Sequence, residues 1–121
     1  MRYAIVKTDG THEIVEYQPP LNIDVIQKVV AAPNEEGNAY FEVIGGPTVS
    51  IFLNENGKYL SLPPNVSVTL YARANQMIWP SDIVVGDCVI MGEPDDNGRS
   101  KDLNDEVLAD ILSHYPKRAD S

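Results

Sequence analysis

The chain has 121 residues, 43% hydrophobic and 22% charged, with 9 Lys or Arg against 18 Asp or Glu and a formal net charge of −9. That size and balance predict one ordered domain, residues 1–121, with a single substantial core. They argue against direct nucleic-acid binding, since each neutralised phosphate needs a Lys or Arg, against a membrane-spanning helix, since no apolar run approaches ~18 residues, and against an internal disulfide, since Cys88 is the one cysteine.

Arg2 to Lys7 reads as a strand, and Asp9-Gly10 is a hairpin signal leading to a partner strand from His12 to Tyr17. The opening Met1 to Thr8 lacks the apolar segment of a signal peptide. Residues 22–32 place Ile23, Val25, Ile26, Val29 and Val30 at helical spacing, with Asn22 as cap and Pro33 as stop. A polar loop, Asn34 to Asn38, then leads to strands at Tyr40 to Ile44 and Val49 to Leu53. Asn56-Gly57 predicts a tight hairpin returning through a short strand, Lys58 to Leu60. Pro63-Pro64 must lie outside a sheet interior and carry the chain to Asn65, whose side chain can bond nearby backbone. Val66 to Ala72 reads as a strand. Asp82 to Gly92 is the clearest strand, a central one kinked or bulged at Gly86-Asp87.

The last element is a helix over Leu103 to Tyr115, with Leu103, Val107, Leu108, Ile111, Leu112 and Tyr115 on one stripe. Asn104 serves as its N-cap, Leu103 and Leu108 form a hydrophobic staple, and Asp105 and Glu106 sit at the positive end. Residues 117–121 are expected to fray. The fold class that results is α+β: a mostly antiparallel, twisted sheet of five to seven strands with two helices packed on it. The strand-strand-helix-strand opening is analogous to a β-grasp.

Several of these segments together resemble a family of short phage, plasmid and bacterial proteins known only as a domain of unknown function. The likeness lies in the hairpin from Tyr3 to Val15, in Asn54-Glu55-Asn56-Gly57-Lys58 with Leu62-Pro63-Pro64-Asn65, and in Asp82-Ile83-Val84-Val85-Gly86-Asp87 with Val89-Ile90-Met91-Gly92. Leu103-Asn104-Asp105-Glu106 before the final helix completes it, so most of the chain is covered. Members usually carry an Arg after the Pro-Pro-Asn; Val66 stands there in this chain. The resemblance implies a fold and a phage or mobile-element setting in the cytoplasm of a bacterial host, but no activity.

Three functions of different kinds follow as expectations. The first is a non-enzymatic accessory protein that binds and modulates a host or phage protein, for instance a nuclease or a defence complex. Glu35, Glu36, Asp95 and Asp96 would face the basic surface of that partner. The alternative is a small-ligand binder, for a nucleotide signal, with Asn54, Lys58 and Asn65 presenting polar groups and Tyr71, Arg73 and Trp79 lining a surface that a homo-oligomer interface would frame. An enzyme ranks last, because only scattered carboxylates support it and no catalytic residue stands out.

No phosphate loop, nucleophile elbow or dinucleotide fingerprint occurs. No cofactor or metal is expected. Glu93, Asp95, Asn97 and Gly98 imitate the start of a calcium loop, but position 12 is Asn104 and Arg99 and Lys101 intrude. His12 and His114 read as surface or rim residues, Cys88 as a buried inert thiol, and Trp79 as a partly buried anchor.

Overall fold

The computed structural model describes residues 1–33, 35, 39–97 and 101–116; the frayed tail expected at 117–121, and part of the loop 34–38, lie outside them. Five strands form one sheet: β1 (Arg2–Val6), β2 (His12–Glu16), β3 (Phe41–Gly45), β4 (Val49–Asn54) and β5 (Cys88–Gly92). Their order is β2-β1-β5-β4-β3, and every pairing is antiparallel. Two hairpins therefore flank the last strand in sequence, which lies at the centre. Three helices complete the described fold: α1 (Ile23–Val30), α2 (Val66–Ala74) and α3 (Asp105–Ser113). The class is α+β, with one helix more than the sequence predicts.

β5 has no polar face because both its faces are covered. Cys88 and Ile90 point into a core shared with Ala4, Val6, Val49, Ile51 and Leu53 and closed by α2 and α3. Val89 and Met91 point the other way, into a second core with Tyr3, Ile26 and Val30 beneath α1. Alternation along each strand thus feeds two cores, and a strand buried on both sides reads as an unbroken apolar run. The β-grasp analogy stops at the opening, since β3, the strand after α1, lies at the opposite edge of the sheet from β1 and β2.

The helix caps read from the sequence are in place. Asn22 accepts from the Asp24 N–H at 3.0 Å, and Asn104 accepts from the Glu106 and Val107 N–H groups at 3.0 and 3.1 Å. Leu103 and Leu108 are both buried, as the staple requires. Arg2 adds a tie between β1 and the start of α3, bonding Asp102, Asp105 and the Leu103 carbonyl.

Three sequence expectations fail locally. Val66 to Ala72 is not a strand but most of α2. Its Val and Thr residues favour strands only weakly, and tertiary burial of Val68, Thr69, Tyr71 and Ala72 overrides that preference. Asn56-Gly57 forms no two-residue hairpin, and no strand returns at Lys58 to Leu60. The chain instead makes successive turns, with Leu60 N–H on Asn56 C=O at 2.9 Å and Leu62 N–H on Gly57 C=O at 3.0 Å. Positive φ falls at Ser61 (55°). Gly57 is needed for space, since a Cβ there would lie 2.8 Å from Val85 Cγ2.

Residues 82–87 are the third case. They stop short of the sheet, and Gly86, at φ 82°, makes the turn by which the chain enters β5. No helix among the described residues is long and apolar enough to cross a membrane.

Ile111 lies fully buried in the core that α3 shares with α2 and the sheet. Ile111→Ala is expected to lower unfolding free energy by about 3 kcal/mol, and Leu112→Ala, at the margin of the same core, by about 1 kcal/mol. Urea denaturation monitored by circular dichroism measures both.

Candidate functional site

Pro63-Pro64 brings the chain to Asn65 in extended form, and a single buried amide then gathers three segments. The Asn65 side chain accepts from the Val68 N–H at 3.3 Å, capping α2, while its amide donates to the carbonyls of Val6 at 2.9 Å and Gly86 at 3.0 Å. Residues 82–86 are stitched alongside. The Asn65 N–H donates to Val84 C=O and the Gly86 N–H to Pro63 C=O, each at 2.8 Å. Thr69 imitates a strand neighbour, its hydroxyl donating to Val84 C=O at 3.1 Å and accepting from Val84 N–H at 2.9 Å. Arg73 forks onto the Asp82 carbonyl through Nε at 2.8 Å and Nη2 at 2.6 Å. The run that reads as half of a central strand is in fact an extended segment docked on α2.

Asn54, at the end of β4, is a second buried hub. Its amide donates to Val30 C=O at 3.0 Å and to Glu35 Oε1 at 2.6 Å, and its oxygen accepts from the Asn56 N–H at 2.8 Å. Glu35 Oε1 also accepts from the Ala32 N–H at 2.8 Å, which closes the C-terminal end of α1.

One opening between these parts is a cleft of about 250 Å³. β3 and β4 form one wall, through Glu42, Ile44 and Leu53, and the 82–85 segment forms the other, through Val84 and Val85. Glu55, Lys58 and Asp82 also line it. Lys58 and Asp82 pair directly, and the Asp82 carboxylate also accepts from the Ile83 N–H at 2.8 Å. The Lys58 ammonium, then that N–H, hold the Asp82 carboxyl below its ordinary value. Among the described residues the Glu42 and Glu55 side chains have no ion-pair or hydrogen-bond partner. Three carboxylates against one ammonium leave the lining with a formal charge of −2.

The residues proposed from the sequence do not converge on one place. Lys58 and Asn54 line the cleft, but the Asn54 amide is spent on backbone and Glu35. Asn65 is wholly buried. Tyr71 is buried in the α2–α3 core, edge-on to His114 with ring centroids 6.3 Å apart. Trp79, expected to be partly buried, is 78% exposed. Glu35 serves Asn54 and Ala32, Glu36 lies outside the described residues, and Asp95 accepts from the Asn97 N–H at 2.9 Å in an exposed turn that also carries Asp96.

Gly98 and Arg99 of the calcium-like stretch are likewise outside the described residues, and Lys101 pairs with Glu93 at 3.3 Å. Among the described residues no group of His, Cys, Asp and Glu is arranged to hold a metal. Cys88 is fully buried, which pushes its thiol pKa far up and keeps it protonated. Sequence reasoning passed over Glu42 and Glu55. Only the β3–β4 register, Glu42 opposite Leu53, and the return of residues 82–85 bring them to one cleft.

Asn65→Ala removes a cap and takes one donor from each of two buried carbonyls, so it is expected to cost about 3 kcal/mol in urea unfolding. For Asp82 the folded pKa lies below the ordinary 3.8, so its contribution to stability is complete above that value and is lost as pH falls through the folded one. Lys58→Met should move the Asp82 titration, followed by carboxyl NMR, up toward 3.8 and flatten the stability loss on acidification.

No curated protein matches the chain, and no solved structure does. One family model, described as Domain of unknown function (DUF3846), matches residues 1–116, so the chain belongs to that family.

Proposed function

We propose that this protein is a non-enzymatic accessory protein, of a phage or mobile element, that binds and modulates a basic host or phage protein by covering part of its surface. The observation that carries the reading is the cleft beside β3, where Glu42 and Glu55 lack partners among the described residues in a lining of formal charge −2. Unpaired carboxylates lining one cleft add nothing to stability, because like charges repel. Facing a basic partner, the same charges speed encounter and select against acidic surfaces. The chain's net charge of −9 acts in the same direction at longer range.

Two further observations favour binding of a protein over binding of a nucleotide. Tyr71 is buried, so it cannot stack on a base, and Arg73 already spends Nε and Nη2 on the Asp82 carbonyl, which reduces what it can offer a phosphate. Binding is also favoured over acid–base catalysis. Neither Glu42 nor Glu55 is buried, and Asp82 is held ionised by Lys58, whereas a general acid at neutral pH needs a carboxyl whose charged form is penalised.

The immobilised protein is expected to retain basic proteins from a bacterial lysate and to release them as salt rises from about 0.05 to about 0.5 M. Glu42→Gln with Glu55→Gln should retain several-fold less at equal folding. Retention that ignores salt and both substitutions would count against the reading.

A further inference from the structure

β3 ends the sheet, and no described strand pairs with its outer edge. The ladder to β4 fixes which of its backbone groups are free. Glu55 N–H donates to Tyr40 C=O at 3.0 Å, and Gly46 N–H donates to Val49 C=O at 2.9 Å. With the register Phe41↔Asn54 through Gly45↔Ser50, antiparallel alternation turns the peptide groups of Tyr40, Glu42, Ile44 and Gly46 toward β4. Those of Phe41, Val43 and Gly45 then point away from the sheet. Side chains alternate across the faces: Glu42 and Ile44 line the cleft, and Val43, 51% exposed, lies on the α1 side.

We propose that β3 takes up an extended basic segment of the partner protein as an added antiparallel strand. A Lys or Arg opposite Glu42 enters the cleft, and an apolar residue opposite Val43 covers it. This rests on the reading of the protein as a binder of basic partners, and names the recognition mode. Backbone pairing supplies affinity, and the alternating pattern supplies selectivity. The long stem of a Lys or Arg lies along Ile44, Val84 and Val85 while its charge meets Glu42 and Glu55.

Charge selects this occupant over a second copy of the chain. Two β3 edges paired with each other would add a second Glu42 to the same surface, and like charges across strands repel. The other open edge, β2, is matched less well: Glu13 is paired with Lys7 at 3.6 Å, and Glu16 stands opposite the cationic Arg2 in the β1 ladder, away from the cleft.

The register makes the test specific. In the added strand, the residue opposite Val43 turns its N–H toward β3, and the residue opposite Glu42 turns its N–H away. The whole protein, with assigned amide resonances, is titrated with an alternating Lys–Val octapeptide to about 1 mM. The Phe41, Val43 and Gly45 amides are expected to shift. N-methylation of the Val amides should weaken binding about tenfold or more, and N-methylation of the Lys amides by less than about twofold. An alternating Glu–Val octapeptide should not bind, and Glu42→Gln should weaken the Lys–Val peptide about threefold.

Equal binding of the two methylated peptides, with salt sensitivity kept, overturns strand addition and leaves the acidic-surface reading standing. Failure of every basic peptide to shift any amide overturns both.

Discussion

The Asn65 side chain is the constraint on which the remaining architecture depends. It is wholly buried, and it bonds at once to the first turn of α2, to the end of β1 and to the turn before β5. Those segments are 59 and 21 residues away in sequence, so one amide fixes how the helical layer sits over the sheet. A buried amide without partners costs more than the bonds return when made. The site therefore tolerates one arrangement of the three segments and penalises others. The Pro-Pro pair before it and the positive φ of Gly86 beyond it serve the same end. One delivers Asn65 in extended form, and the other turns the chain from its docked course along α2 into the centre of the sheet.

The cleft follows from that geometry. α2 and α3 cover β1, β5 and β4 through the core that contains Ala4, Ile90 and Ile51. β3 lies one strand further out. There the cover is only the 82–85 segment, tied to α2 by Thr69 and Arg73. Glu42 and Ile44 are left facing a gap in place of a helix. A charged residue on an edge strand also discourages indiscriminate strand pairing. Under the proposed strand addition, the same Glu42 would refuse an apolar or acidic strand and admit a basic one, making protection of the edge and recognition there a single property.

Elements whose pattern is local were legible in the sequence. Asn22, Asn104 and the Leu103–Leu108 pair announce α1 and α3 because caps and staples act within one turn. Cys88 to Met91 announces a central strand because burial on both faces removes polar alternation. α2 was not legible. It is buried on several sides, so its apolar residues form no stripe, and its Val and Thr content suggests a strand. Its best signal was Asn65 standing just after Pro63-Pro64, an N-cap read only as a turn residue. The 54–62 turns were misread for a related reason, since Gly57 answers to Val85, a residue far away in sequence, and not to its own φ. The acids at the cleft depend on register and on a returning segment, and no local pattern encodes either.

A net charge of −9 says little until the carboxylates are sorted by what they touch. Asp102 and Asp105 hold Arg2, Glu13 meets Lys7, Glu93 meets Lys101, and Asp82 meets Lys58. Glu35 braces Asn54, and Asp87 accepts from the Thr8 N–H. These acids do structural work, and a partner would have to break a bond to use them. Charges separated by more than about 8 Å are largely screened at physiological salt, so the overall field guides approach without fixing the docked position. In the proposed binding, that position would be set by acids that are unspent and line one cleft. On the described surface the cleft beside β3 meets both conditions, next to backbone groups that lack partners of their own.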